Sequence, residues 1–274
     1  MAPFETPTSA PVTERPGLAL VTGASSGIGR SLARELGSRG FRLLVVAEDA
    51  EIREVEQELR SRGADVRGEQ LDLATTDGVD ALYRFVQEAG EPVTVAALNA
   101  GIGVGGAFVD TDLDADLRLV DLNCRSTVHM AKLLLRDMVQ RGHGRLLVTA
   151  SIVAKTPGPW NATYAASKAF VHSFAEGIRI ELKDTGVTVT SLMPGATDTE
   201  FFERADMEDT RVGAGKKDNP DDVARDGVDA LLAGKDHVVG GSAKNRAMAA
   251  ASSASPDPVA ARAAAKASEP GSGD

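Results

Sequence analysis

Three side chains can hold and exchange a proton if the fold brings them together: Ser151, Tyr164 and Lys168. Tyr164 and Lys168 are four residues apart, so on a helix they lie on one face within reach of each other. A free tyrosine has a pKa of about 10, and a neighbouring ammonium favours the phenolate, so this phenol can act as acid or base nearer neutral pH. Ser151 ends a predicted strand thirteen residues before Tyr164. This position brings its hydroxyl to the mouth of the same pocket as the phenol. On an arbitrary helix such a Tyr–Lys pair is usually a solvated surface pair, so the surrounding elements must decide between the two interpretations.

The stretch TGASSGIG, residues 22–29, lies between the first predicted strand and the first predicted helix. Gly23 permits a tight turn, Gly27 lets the backbone approach a pyrophosphate, and Gly29 lets the helix pack closely on the sheet. The helix N-terminus offers free N–H groups and a positive dipole end to that pyrophosphate. A glycine-rich turn without a ligand is the alternative interpretation. The candidate cofactor-binding residues in this stretch are Gly23, Ser25, Ser26, Gly27, Ile28 and Gly29.

Short apolar runs alternate with segments of helical periodicity from residue 18 to about residue 240. The strand-like runs include LALVTG, FRLLVVA and GRLLVTAS, and long helices are predicted over 112–141 and 161–183. Strands that alternate with helices of this length form right-handed βαβ units and a parallel sheet covered on both faces. We therefore predict an α/β fold, namely a doubly wound parallel sheet of about seven strands (a Rossmann fold) in a single domain. Ligands of such sheets bind beyond the carboxyl ends of the strands.

Composition changes near both ends of the chain. Residues 1–16 contain four prolines and few apolar residues, so they are expected to form a flexible leader. Residues 17–241 form the predicted domain. Residues 242–274 are alanine-rich and contain no aromatic residue, leucine or isoleucine, so this tail has little with which to dock and is expected to be largely mobile.

Overall composition argues against several classes of partner. The formal net charge of -10 at pH 7 disfavours nucleic acid, because phosphates would be repelled. We find no run of 18 apolar residues and no signal-peptide pattern, so no membrane span is expected. A single cysteine, Cys124, cannot form an intrachain disulfide, which favours a reducing cytoplasm. The four histidines are scattered, so no metal site is expected.

Six motifs occur in one order along the chain: TGASSGIG, NAG at 99–101, Asn123, Ser151, YAASK at 164–168 and PG at 194–195. In order and spacing they resemble the classical short-chain dehydrogenases/reductases over residues 18 to about 240. The resemblance implies a nicotinamide cofactor, NAD(P)(H), a small-molecule alcohol or carbonyl substrate, and a homodimer or homotetramer. It implies that Tyr164 exchanges the proton with the substrate oxygen while Ser151 holds that oxygen. Lys168 would bind the nicotinamide ribose and polarise the phenol, and the positive nicotinamide ring would likewise favour the phenolate. Asn123 would hold a water that links Lys168 to solvent.

The resemblance implies further cofactor contacts at the ends of the later strands. Asp72 would accept a hydrogen bond from the adenine amino group, with the backbone of Leu73 beside it. Some of these residues have plainer interpretations, since NAG is a common strand-ending turn and Asn123 is alternatively a buried amide. Trp160 would either wall the substrate pocket or pack within its loop. The implied cofactor-binding residues beyond the glycine stretch are Glu48, Asp72, Leu73, Asn99, Ala100, Gly101, Tyr164, Lys168, Pro194, Gly195, Thr197 and Thr199.

The end of the second strand departs from the family pattern and bears on the choice between NAD and NADP. An acidic residue there binds the ribose 2′-hydroxyl, whereas an arginine binds a 2′-phosphate. Ala47 occupies the usual acidic position and Glu48 the usual arginine position, so Glu48 would repel a 2′-phosphate. We expect NAD to be favoured over NADP. Arg30 or Arg42 would favour NADP instead if the loop folds inward.

The leading hypothesis is an NAD(P)-dependent oxidoreductase that transfers a hydride between the nicotinamide and an alcohol/ketone substrate, with Tyr164 as acid/base. A lyase or epimerase on the same scaffold is an alternative, although the complete Asn–Ser–Tyr–Lys set is what hydride transfer uses. A cofactor-binding regulatory protein without turnover is another alternative, but it would not need Tyr164 or Lys168. Residues 199–218 are predicted to form a lid whose paired phenylalanines fit moderately apolar carbonyls.

Overall fold

The structure is a computed structural model that describes residues 16–254 and 257–273. Within these residues the strands are β1 Leu18–Thr22, β2 Arg42–Ala47, β3 Val66–Gln70, β4 Val93–Leu98, β5 Gly144–Thr149, β6 Val187–Pro194 and β7 His237–Gly240. The helices are α1 Gly27–Ser38, α2 Ile52–Ser61, α3 Thr76–Gln87, α4 Leu113–Val120, α5 Thr127–Arg141, α6 Ala162–Glu181, α7 Phe201–Arg204, α8 Arg211–Ala214, α9 Pro220–Leu232, α10 Ala243–Ala254 and α11 Asp257–Ser268. A π-helical segment, Asp121–Ser126, joins α4 to α5, and a 3-10 helix, Ile152–Lys155, follows β5. Residues 1–15 of the predicted leader lie outside the described residues.

The strands form one parallel sheet in the order β3-β2-β1-β4-β5-β6-β7. The order reverses between β1 and β4, so the crevice beyond their carboxyl ends is the topological switch point. This arrangement confirms the predicted doubly wound α/β fold in a single domain. It also places the ends of β1, β4, β5 and β6 at one edge of the sheet.

Both faces of the sheet are buried, which explains why its central strands are continuously apolar rather than alternating. All five residues of β1 are buried. Alternate residues such as Leu18 and Leu20 pack on one face with residues of α3 and α5. Ala19 and Val21 pack on the other face with residues of α1, α2 and α9. The strand positions are therefore fixed from both sides.

The long helical stretch predicted over 112–141 is present but not uniform. The helix widens to a π turn over Asp121–Ser126 before α5 begins at Thr127. Such turns are rare and are frequent at functional sites. Here the turn carries Asn123, whose side chain is buried.

The alanine-rich segment after Gly241 forms two helices, α10 and α11, where we predicted a tail with little means of docking. Small side chains such as Ala249 and Ala260 are buried in these helices. Past α11, the backbone N–H of Gly271 donates to the Asp209 carboxylate at 2.7 Å. The tail therefore does dock, through alanine packing and backbone hydrogen bonds rather than large apolar side chains. Its mobility in solution stays a prediction.

An ion-pair cluster around Glu58 of α2 joins α1 to α2. The Glu58 carboxylate accepts hydrogen bonds from Nε of Arg30 at 2.8 Å and from Nε of Arg34 at 2.7 Å. The hydrogen bond from Arg34, followed by that from Arg30, outweighs burial and lowers the Glu58 pKa to about 2. Because this pKa lies below its ordinary value of 4.5, the stabilisation is present above that value and is lost as pH falls towards 2.

We expect Glu58→Gln to lower the free energy of unfolding at neutral pH by about 1 kcal/mol, the upper end for partly exposed ion pairs. The variant should also lose less stability than the parent between pH 5 and pH 2, because it lacks the titrating group. Urea unfolding at a series of pH values measures both effects. Glu54→Gln on the exposed face of α2 is the matched control. Equal acid sensitivity of the parent and Glu58→Gln would contradict this account.

Candidate active site

A cleft of about 580 Å³ lies at the carboxyl ends of the strands. Its wall includes the glycine stretch after β1, the end of β2, the NAG turn after β4, and the end of β6. Ser151, Tyr164 and Lys168 line the same cleft. The structure thus brings together, in one cavity, the two groups of motifs that the sequence kept 120 residues apart.

The glycine stretch has the backbone that the sequence predicted. Gly23 and Gly27 have φ values of 64° and 51°, a left-handed conformation that favours glycine. A Cβ on Gly29 would lie 1.9 Å from the carbonyl oxygen of Gly23, so only glycine lets the start of α1 approach this turn. The result is an open cradle of backbone at a helix N-terminus, which fits a pyrophosphate.

Asn99 fixes the relative position of three strand ends. Its backbone N–H donates to the Thr22 hydroxyl at 3.0 Å, and its side-chain amide donates to the Thr22 carbonyl at 3.2 Å. The hydroxyl of Thr149 donates to the Asn99 side-chain oxygen at 3.0 Å. Asn99 therefore ties β1, β4 and β5 together directly beneath the cleft.

Tyr164 and Ser151 meet inside the cleft, Tyr164 on α6 and Ser151 before the 3-10 helix. Burial raises the pKa of Tyr164 to about 12, and the hydrogen bond with Ser151 only partly opposes this. The pKa nearer neutral that we predicted depends on the ammonium together with a positive nicotinamide ring and stays a prediction; among the protein's own groups, loss of water outweighs the polar partners. The phenol is consequently protonated at neutral pH in this structure. The Phe201 ring lies 5.0 Å from the Tyr164 ring, centroid to centroid.

Lys168 is the buried cation of the site, with 5% of its surface exposed. Its Nζ donates to the carbonyl oxygen of Thr149 at 2.9 Å and lies 5.8 Å from the centroid of the Tyr164 ring. Burial lowers the Lys168 pKa to about 8. A Cβ on Gly101 would lie 3.1 Å from this Nζ, so the NAG turn packs closely against the ammonium.

Asn123 joins the π turn to the NAG turn and to α6. Its side-chain oxygen accepts from the Ile102 backbone N–H at 2.9 Å, and its nitrogen donates to the Ile102 carbonyl at 3.0 Å and to the Ser167 hydroxyl at 2.9 Å. The side chain is buried and has partners within the protein, which fits the alternative interpretation, and the predicted link through a water stays a prediction. The same oxygen lies 3.0 Å from where a Cβ of Gly101 would be, so Asn123 also borders the site.

The end of β2 carries two carboxylates, each paired with an arginine. Arg118 of α4 donates to Glu48 at 2.6 Å, and Arg204 of α7 pairs with Asp49 at 3.3 Å. Neither arginine was predicted for the site. The Asp72 carboxylate accepts a hydrogen bond from Arg118 at 3.1 Å. Burial raises the pKa of Asp72, but the hydrogen bonds from Arg118 and from the Ala74 N–H outweigh burial, so the pKa is lowered.

The two arginines that were predicted as alternatives for a 2′-phosphate have other partners. Arg30 binds Glu58, and Arg42 pairs with Glu91 at 2.7 Å and with Asp65 at 3.0 Å. Arg42 begins β2, at the opposite end of the strand from the cleft. The loop does not fold inward to bring either side chain to the cofactor end.

The end of β6 and the segment after it form the floor and lid. Pro194, Gly195, Thr197 and Thr199 line the cleft, as do Leu73 and Ala100. The predicted lid contains the short helices α7 and α8, and Phe202 of α7 and Met207 pack together in a small cluster. Trp160 does not line the cleft in the described residues, and its carbonyl accepts from the Gly106 N–H at 2.8 Å.

The sequence prediction missed one wall of the cleft, which α11 provides. Alanines of α11 at helical spacing line the cavity, at positions 260, 263, 264 and 267. Their spacing of three and four residues is the signal that identifies a helix face. Next to the lid, the Arg211 N–H donates to the Ser272 hydroxyl at 3.2 Å, which holds the end of the tail against α8.

Among the described residues, no three side chains of His, Cys, Asp or Glu come together as metal ligands would. No helix in the part of the chain that the structure describes has the length and apolar character needed to cross a membrane.

Comparison with known proteins agrees with this geometry. The short chain dehydrogenase family model matches residues 17–209. An uncharacterized oxidoreductase of Staphylococcus saprophyticus is 32% identical over 216 residues, which cover 78% of this chain and 90% of that protein. The chain therefore belongs to the short-chain dehydrogenase/reductase family.

Solved structures give the same result. A short-chain dehydrogenase from Sphingobium yanoikuyae in complex with NADPH has a TM-score of 0.76 and 28% identity, over 81% of this chain and 87% of that chain. A variant of actinorhodin polyketide ketoreductase with NADPH has a TM-score of 0.71 and 31% identity, over 82% of this chain and 96% of that chain. The protein is an oxidoreductase of this family with a nicotinamide dinucleotide cofactor, and the glycine cradle and the cleft fit that group.

Proposed function

We propose that the protein transfers a hydride between the nicotinamide of NAD(P)(H) and an alcohol/ketone substrate, with Tyr164 as the acid/base. The observation that carries this proposal is the meeting of Tyr164 and Ser151 in the cleft that also contains the glycine cradle. The bound nicotinamide supplies or accepts the hydride. The residues predicted to bind its two nucleotide halves, apart from Asp72, line the cleft from the cradle to Lys168, which supports the proposal.

The protein's own side chains account for the proton. At a pKa of about 12, the Tyr164 phenol is protonated at neutral pH and is suited to donate to a carbonyl oxygen. The Ser151 hydroxyl lies beside it and can hold the same oxygen. Lys168 is positioned to bind the nicotinamide ribose, and its pKa of about 8 lets it return a proton near neutral pH. Asn123 supports this group from the π turn by fixing Ile102 and Ser167.

We expect Tyr164→Phe to lower kcat for ketone reduction by about 100-fold or more, since the variant has no transferable proton. Cofactor affinity should change little, because the ring remains. Stopped-flow reduction and cofactor fluorescence titration measure the two quantities. A variant that keeps turnover close to that of the parent would exclude Tyr164 as the acid/base.

We infer that the substrate is an uncharged, largely apolar carbonyl compound. Near Tyr164 the cleft is lined by Phe201, Phe202 and Met207, with the alanine face of α11 beyond them. The charged side chains along the cleft wall are paired or buried: Glu48 with Arg118, Asp49 and Glu200 with Arg204, and Lys168 within the protein. A charged substrate group would therefore lose water without gaining a free partner.

A larger side chain on α11 should select against bulky substrates. We expect Ala267→Phe to lower kcat/KM for an aryl ketone by about tenfold, while kcat/KM for acetone changes little, because the new ring occupies space in the cleft. Steady-state kinetics with both ketones gives the ratio. Ala265→Phe, on the same helix but away from the cleft lining, is the matched control. An unchanged ratio in Ala267→Phe would contradict this substrate assignment.

We propose that NAD is favoured over NADP, although both solved relatives named above are described with NADPH. Around the end of β2 stand four carboxylates, Glu48, Asp49, Asp72 and Glu200, against two guanidinium groups, Arg118 and Arg204. The excess of negative charge disfavours a doubly charged 2′-phosphate. A carboxylate can instead accept a hydrogen bond from a ribose 2′-hydroxyl.

We expect the parent protein to bind NADH more tightly than NADPH, and Glu48→Arg to narrow or reverse that preference. The substitution removes one carboxylate and leaves Arg118 with Asp72 as its remaining partner. Fluorescence titration with both reduced cofactors measures the ratio of Kd values, and Glu51→Arg at the exposed start of α2 controls for added charge alone. Tighter binding of NADPH by the parent would overturn the assignment.

We propose that the protein functions as a homodimer or homotetramer in the cytoplasm. Support for a second copy comes from an exposed apolar face around α4 that includes Phe108, Val109, Leu113 and Leu117. The lone cysteine, Cys124, supports a reducing compartment. Light scattering on the purified protein measures the oligomeric state.

A further inference from the structure

A buried histidine, His172, lies on α6 two turns beyond Tyr164 and takes no part in the proposed chemistry. Only 8% of its surface is exposed. Its Nε2 lies 2.6 Å from Nζ of Lys155, the last residue of the 3-10 helix. Its Nδ1 lies 3.0 Å from the hydroxyl oxygen of Ser191, which is fully buried in β6.

These two contacts define the protonation state of the ring. A lysine ammonium can only donate, so Nε2 of His172 must be the acceptor. Nδ1 then carries the ring proton and donates it to Ser191. The imidazole is therefore neutral, and a second proton on Nε2 would remove the acceptor and place two cations 2.6 Å apart.

The contacts also close a loop of connections around Ser151. Ser151 precedes the 3-10 helix, and its hydroxyl accepts from the Val153 N–H at 3.3 Å. Lys155 is the last residue of that helix, and its ammonium contacts His172. His172 is bonded to Ser191 of β6, and β6 ends at Pro194. The carbonyl of Pro194 in turn accepts from the Ser151 hydroxyl at 3.3 Å. The segment that carries Ser151 is thus held at both ends to β6, once directly and once through His172.

We propose that His172 is a positioning residue: in its neutral form it holds Lys155, and through the 3-10 helix it keeps Ser151 in place beside Tyr164. Protonation of His172 releases Lys155 and loosens the segment, so turnover falls under acidic conditions. The predicted fall in turnover rests on the proposed function. The predicted loosening of the segment on protonation of His172 does not depend on that function.

The charges that surround His172 favour the neutral form. Burial and the Lys155 ammonium lower its pKa, and the nearby His237 acts in the same direction. Glu176 on α6 and Asp236 before β7 raise the His172 pKa, but their effect is smaller, so the pKa stays below its ordinary value. The His237 ring meets the His172 ring edge-on, with 6.3 Å between centroids. A pH titration must therefore distinguish protonation of His172 from protonation of His237.

The release has a spectroscopic reporter. Trp160 is the only tryptophan of the chain and lies in the loop between the 3-10 helix and α6, five residues after Lys155. We expect its emission to change as pH falls below the ordinary histidine pKa of about 6.5. His172→Asn, which cannot titrate, should abolish this change, and His237→Asn and the distant His143→Asn should retain it.

Turnover gives the second measurement. The acid limb of the kcat profile should be lost in His172→Asn, and Lys155→Met should lower kcat about tenfold through misplacement of Ser151 while cofactor Kd stays within twofold. His172→Gln, whose amide can accept from Lys155, should restore most of the kcat that His172→Phe loses.

These measurements distinguish a failure of the His172 positioning role from a failure of the proposed hydride transfer. A pH-dependent emission change that needs His172, in a protein that reduces no ketone, would sustain the release of the segment and refute the proposed function. An emission change and acid limb that persist in His172→Asn, or that vanish in His237→Asn, would overturn the positioning role. Folding of each variant is checked by its thermal unfolding, so that loss of kcat in a folded His172→Phe counts for the proposal and retention of kcat counts against it.

Discussion

The site depends on one cross-strand junction, the set of hydrogen bonds made by Asn99 at the switch point of the sheet. The backbone N–H and the side-chain amide of Asn99 donate to Thr22 of β1, and its side-chain oxygen accepts from Thr149 of β5. The strand that carries Thr22 leads directly into the glycine cradle, and the carbonyl of Thr149 accepts from Lys168. Asn99 therefore adds a side-chain link to the backbone pairing of β1, β4 and β5, and this link lies between the place for a pyrophosphate and the buried ammonium. Parallel strands have no hairpins to fix their ends, which is why a polar side chain does so here.

The cleft is electrostatically divided. Carboxylates and guanidinium groups cross-link the end of β2 to α4 and α7, whereas the polar groups beside Tyr164 are the Ser151 hydroxyl and the buried Lys168 ammonium, with the apolar ring of Phe201 next to them. Burial has opposite effects on the two titrating groups in that region, because it disfavours the charged form of each: the pKa of the phenol rises and that of the ammonium falls. In the protein without cofactor both groups are thereby moved towards neutrality. A bound pyridinium ring, with its positive charge, would act on the phenol in the opposite direction.

The sequence was sufficient for the features that depend on local pattern. Continuous apolar runs identified buried parallel strands, and the spacing of Tyr164 and Lys168 identified a shared helix face. It was insufficient where distant elements meet. Arg118 and Glu48 are far apart in sequence, and nothing local indicates that α4 will place a guanidinium over the end of β2. How far Tyr164 loses water could not be read from the sequence for the same reason, since that depends on distant residues such as Phe201. In the alanine-rich tail the helical spacing was visible, but the low hydrophobicity concealed that the helix would find a partner.

The position of α11 has a consequence for how the protein is made. Every strand of the sheet, the glycine cradle and the Ser–Tyr–Lys set are synthesised before α11, yet the alanines of α11 form part of the cleft wall. The helix that narrows the cleft is therefore added to the growing chain after the elements that carry the cradle and the Ser–Tyr–Lys set. Since α11 holds none of those side chains, a change in its small residues would alter the width of the cleft while the sheet beneath it keeps its pairing.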